Sequence, residues 1–62
     1  MDDALRAYGA GRADGRAGRN DGVRADDPET GPDYLTGLVD GQVAAFEEAL
    51  IAAVRKALGE AL

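Results

Sequence analysis

Residues 8–18 read YGAGRADGRAG and residues 34–44 read YLTGLVDGQVA. The two segments repeat one pattern, Y-x-x-G-x-x-D-G-x-x-[GA], at an offset of 26 residues. Tyr8, Gly11, Asp14 and Gly15 align with Tyr34, Gly37, Asp40 and Gly41, and Gly18 aligns with Ala44. Period-two alternation is absent and Ala, Gly and Asp are poor strand residues, so both copies read as helix. Spacings of three and four then place Gly11, Gly15, Gly18 and Gly22 on one helical face, and Gly37, Gly41, Ala44, Ala45 and Ala52 on one face of the second helix. Faces without side chains let two helix backbones approach more closely than the usual 8–10 Å between axes. Small-residue pairs of membrane helices use the same logic. The repeat predicts two helices in contact through Gly11, Gly15, Gly18, Gly37 and Gly41.

Working outward from the repeat, the chain reads as all-α. The predicted architecture is an antiparallel αα-hairpin within one small helical domain, residues 1–62. It has a short Gly-rich helix over about residues 3–19, a connecting loop over 20–32 and a long helix over about 33–61. Asp2 and Asp3 suit a helix N-terminus, and Asn20-Asp21-Gly22 reads as a stop and turn. Glycines in the first helix each cost about 1 kcal/mol relative to Ala, so this helix needs tertiary packing to form. The loop NDGVRADDPETGP is all turn chemistry. Within it, Asp27-Pro28-Glu29 is expected to cap one short helical turn, with Pro at the first helical position. Asp33, after Pro32, is the expected N-cap of the long helix. Strong helix formers follow from Val43 onward, and Arg55 and Lys56 complement the dipole near the C-terminal end.

The long helix carries a second face. Leu35, Val39, Val43, Phe46, Leu50 and Val54 lie roughly opposite Gly37 and Gly41 at 100° per residue, and Ile51, Leu58 and Leu62 widen that apolar surface. Positions 39, 43, 46, 50, 53 and 57 are spaced 4-3-4-3-4, which is a helix–helix seam. The rival reading makes this stripe the intrachain core. However, the first helix offers little beyond Leu5 and Tyr8 to cover it. A 62-residue chain is also marginal alone and commonly needs a disulfide, a metal or a second copy. The expected partner is therefore the chain itself, as a homodimer in a four-helix bundle whose interface is Leu35, Val39, Val43, Phe46, Leu50 and Val54.

Composition removes most chemistries. The chain has no Cys, His or Trp, and it also lacks Ser. Disulfides, Cys/His zinc sites and Ser-His-Asp or Cys-His catalysis are excluded. No G-x-x-x-x-G-K-[ST] loop occurs. Aligning Gly22 with the invariant glycine of an EF-hand loop puts Ala17 and Pro28 where acidic ligands belong, so that motif fails. No metal, cofactor or catalytic activity is expected. No segment reaches the ~20 apolar residues of a membrane span, and acid follows Met1 where a signal peptide needs base, so a cytoplasmic location is expected.

Arg12, Arg16 and Arg19 recur at i, i+4 and i+7 and are candidate phosphate contacts. The bland reading is a solvated or salt-bridged helix edge. With 12 acidic against 7 basic residues and a net charge of -5, the chain as a whole repels phosphate backbones, and DNA is not an expected partner.

The order A-Y-x-x-G-x-x-D-G-x-x-G-R, a Pro-containing loop, then Y-L-x-G-x-x-D-G resembles the small two-helix ribosome modulation factor family. The matching residues are Tyr8, Gly11, Gly18, Arg19, Pro28, Tyr34, Leu35 and Gly37, within residues 7–41. The resemblance implies a two-helix fold and a ribosomal partner. Ribosome-binding members are basic and carry a Cys-Pro-Tyr-like loop. This chain is acidic, its loop has neither Cys nor aromatic residue, and its apolar C-terminal stretch is extra. Two functions are therefore expected of a non-catalytic, homo-oligomeric helical protein acting by binding. One is a ribosome modulation factor-like regulator. The other is an acidic protein-binding adaptor, antitoxin or inhibitor without RNA contact.

Overall fold

The computed structural model describes residues 2–61, with side chains as far as Gly59. Three helices follow in order: α1 over Asp3–Ala17, α2 over Gly22–Ala25 and α3 over Gly31–Ala61. No strand occurs among the described residues, and the protein is all-α. Leu62, assigned to the apolar face from the sequence, lies outside them.

Helix α1 opens with the Arg6 N–H donating to the Asp2 carbonyl at 2.8 Å. It ends at Gly18, not at Asn20-Asp21-Gly22. Gly18 sits at φ 73°, in the left-handed region. Its N–H donates to the Gly15 carbonyl at 3.2 Å, and the Arg19 N–H donates to the Asp14 carbonyl at 2.7 Å. This pair of bonds satisfies two of the carbonyls freed at the helix end, and a residue without Cβ adopts the required φ most easily. Gly18 is therefore a C-terminal cap, exposed, and has no place in the helix contact predicted for it.

The connection holds the short helix α2, which was not expected, ahead of the turn that was. Asp21 caps α2, its Oδ1 accepting from the N–H groups of Val23 at 3.1 Å and Arg24 at 3.3 Å. Asp27 caps a second turn, the one expected with Pro28 at its first position: its Oδ1 accepts from the N–H groups of Glu29 at 2.8 Å and Thr30 at 3.0 Å, and its carbonyl from the Gly31 N–H at 2.8 Å, leading into α3. Helix α3 begins at Gly31, so Asp33 lies in its first turn and is not its cap. Pro32 does not delay the start, because a first-turn N–H has no helical partner to lose. At about 1.5 Å per residue, 31 residues make a rod of about 46 Å.

Helices α1 and α3 pair as expected, but in the parallel sense. Gly11 lies against the backbone of Tyr34 and Leu38, and Gly15 against that of Leu38 and Gln42. Gly37 lies against Tyr8 and Arg12, and Gly41 against Arg12 and Arg16. Partner numbers rise together along both helices, which an antiparallel hairpin forbids. The reason is the long connection. A link of 2–5 residues forces neighbouring helices to run antiparallel. Residues 18–30 could extend to about 40 Å, twice the return needed along α1. The chain accordingly runs back beside α1, and Asp27, Pro28 and Thr30 line one cleft with Asp3, Arg6 and Ala7.

The repeat explains the geometry. Each contact made by Gly11 or Gly15 on α3 recurs, 26 residues on, as a contact made by Gly37 or Gly41 on α1. The two copies are thus related by a pseudo-two-fold axis along the helix pair, an isologous contact within one chain. The core is small. Its buried hydrophobic residues are Ala7, Tyr34 and Leu38. Ala10 and Ala25 pack against them.

Candidate interaction site

At Gly11, Gly15, Gly37 and Gly41 an added Cβ would overlap a carbonyl oxygen of the opposite helix: Tyr34, Leu38, Tyr8 and Arg12, respectively. The spaces are closed by backbone, which cannot swing aside as a side chain can. Gly31 is a fifth such position, because its Cβ would meet the Ala25 carbonyl where α2 folds onto α3. This role of Gly31 has no signature in the sequence, since a loop glycine has many uses. Leu38 was also missed as core, although it follows Tyr34 by one helical turn and so shares its face.

The remaining repeated residues lock the pair. The Tyr8 hydroxyl donates to Asp40 Oδ2 at 2.5 Å, and the Tyr34 hydroxyl donates to Asp14 Oδ2 at 2.6 Å. Each tyrosine thus binds the aspartate of the other copy. The two ends differ in cover. Tyr34 is fully buried, and its hydroxyl also accepts from the Asp21 N–H at 2.8 Å. Tyr8 is half-buried. The hydrogen bond to Asp40 holds the Tyr8 phenol above its usual pKa, with desolvation adding to the effect. Burial is the leading cause for Tyr34, followed by its bond to Asp14.

Both shifts are upward, so both phenols stabilise the fold fully below pH 10. That stability is lost as pH rises beyond 10 through the raised folded-state values. Melting temperature should therefore fall in alkali, coincident with tyrosinate absorbance. These two are the only tyrosines and there is no Trp, which makes that readout clean. The double variant Tyr8→Phe with Tyr34→Phe should lose this alkaline step. An unchanged step in that variant would assign it to other groups.

The opposite face of α3 is uncovered. Leu35, Val39, Val43, Phe46, Leu50 and Val54 are all exposed, Phe46 to 67% and Val39 to 55%. Ile51 and Leu58 continue the surface. Because α1 is the shorter helix, α3 runs on beyond the level of Ala17, and the last α3 side chain to make an ion pair with α1 among the described residues is Glu48. That residue reaches back to Arg16, Oε1 to Nη1, at 2.6 Å.

No family model, curated protein or solved structure matches the chain. The remaining site residues are placed by geometry alone. Arg12 and Arg16 flank Gly9, Ala13 and Ala17 on the outer side of α1. Arg19 lies past the helix end, so the three-residue arginine stripe read from the sequence is interrupted at Gly18. Among the described residues, no group of three or more acidic side chains is placed to hold a metal ion, and no helix is long and apolar enough to cross a membrane.

Proposed function

We propose that this is a small non-catalytic helical protein that self-associates through α3 and acts by binding. The observation that supports it is the size of the uncovered surface. A compact monomer of 6.4 kDa has about 3,800 Å² of accessible surface, whereas this chain exposes 4663 Å². The excess of about 900 Å² is close to the ~800 Å² that each partner buries in a standard interface. The radius of gyration agrees, being 15.1 Å against about 11 Å for a compact chain of this length. The apolar residues that would fill a monomer core lie instead along one side of α3.

The ribosome modulation factor resemblance would add phosphate contacts at Arg12, Arg16 and Arg19. Arg16 already pairs with Glu48 and the chain is acidic, so a protein partner without RNA contact is the reading we favour. A cytoplasmic location is part of the same proposal. Sedimentation equilibrium of the chain at micromolar concentration should give twice 6.4 kDa. A well-folded species at the monomer mass would refute self-association.

A further inference from the structure

We infer that the occupant of the exposed α3 face is a second copy of this chain laid antiparallel, with Phe46 against Leu50 of the second copy at the centre. This rests on the self-association proposed above and specifies its geometry. The seam at 39, 43, 46, 50, 53 and 57 reads the same in both directions, so a second α3 can meet it either way round. Packing distinguishes the two. An antiparallel copy centred on residue 48 pairs Val39 with Ala57, Val43 with Ala53 and Phe46 with Leu50. Small residues then face larger ones at both ends, the two bulkiest types meet in the middle, and helix spacing can stay even. A parallel copy pairs every residue with itself. Valine, phenylalanine and leucine would meet their own kind over the first four layers and alanine would meet alanine over the last two. Such helices are forced apart at one end and underpacked at the other.

Two electrostatic observations point the same way. Helices α1 and α3 are already parallel within the chain. A parallel dimer would align all four long dipoles, whereas an antiparallel one opposes them. Charge along α3 is also polar. Asp33, Asp40, Glu47 and Glu48 precede residue 50, while Arg55 and Lys56 follow it, with Glu60 the one acid beyond. Reversal sets the Arg55–Lys56 end level with the acidic first half of the second copy, where Asp40 itself is turned to the Tyr8 hydroxyl on the side of α1. Glu48 falls at the centre of symmetry, but its carboxylate is turned to Arg16, on the side of α1.

The chain has no cysteine, so introduced thiols are unambiguous. Val39→Cys and Ala57→Cys should be prepared separately, then mixed after refolding together and oxidised under mild conditions. The expected product is a mixed disulfide between the two variants, identified by mass, with neither variant linking to itself. Residues 39 of two antiparallel copies would lie about 27 Å apart along the axis, far beyond the ~7 Å that a disulfide spans. A Val39→Cys homodimer would overturn the antiparallel arrangement and leave self-association standing. A dimer by sedimentation that gives no mixed disulfide would overturn the register. A monomer by sedimentation with no disulfide of any kind would remove both this inference and the self-association on which it rests.

Discussion

Alanine at Gly15 or at Gly41 should separate α1 from α3 and lower the melting temperature by about 10–20 °C. A single methyl group is enough, because the space a Cβ needs at these positions is occupied by the Leu38 and Arg12 carbonyls, respectively. Overpacking costs about 1–3 kcal/mol and more where the neighbour cannot move, and each kcal/mol shifts the midpoint of so small a domain by about 4–8 °C. The same substitution elsewhere in α1 has the opposite sign. Gly9 has nothing within 4 Å of a Cβ, so Gly9→Ala should stabilise the helix by up to about 1 kcal/mol. Gly18→Ala gains no such benefit, since φ 73° costs an L-residue about 1–2 kcal/mol. Thermal melts followed by circular dichroism at one fixed chain concentration test all three. Equal midpoints for wild type and Gly15→Ala would dispose of the close backbone contact.

These glycines also show how much of the molecule could be read from its sequence. The repeat identified the helices, and four of the five glycines assigned to the contact lie in it. The fifth, Gly18, shares their spacing but stops the helix. Periodicity cannot separate those roles, because a glycine one turn beyond a contact glycine is equally suited to a left-handed cap. The parallel sense was available in principle. A repeat whose copies face each other through the same residues implies an axis along the pair, and the long connection permits it. Helix spacing alone, however, is identical for both directions. The Tyr8–Asp40 and Tyr34–Asp14 bonds depend on that direction, so the sequence could supply the residues and not their partners. The exposed face of α3 was legible from its 4-3-4 spacing, because burial of one side by glycine backbones leaves large apolar side chains no room there.

The second large effect is expected on that face. Phe46→Glu combined with Leu50→Glu should halve the sedimentation mass and strip helicity from the second half of α3. Full burial of each large apolar side chain contributes about 1.5–3 kcal/mol, and the double variant removes two such side chains from each of two chains. It also places four carboxylates in an apolar seam, where ionised groups are strongly disfavoured without partners. The loss is comparable to the whole stability of a small domain, ~5 kcal/mol at the low end. Helicity follows association because α3 beyond Glu48 has no neighbouring helix among the described residues, and an isolated segment of that length is marginal in water. The first half of α3 should persist, since Tyr34, Leu38 and the glycines are packed on α1 and do not involve the seam. Ala52→Glu provides the control: it adds acid to an exposed position away from the stripe and should leave the mass unchanged. If the double variant kept the mass and the helix content of the wild type, the face of α3 could not be what holds two chains together.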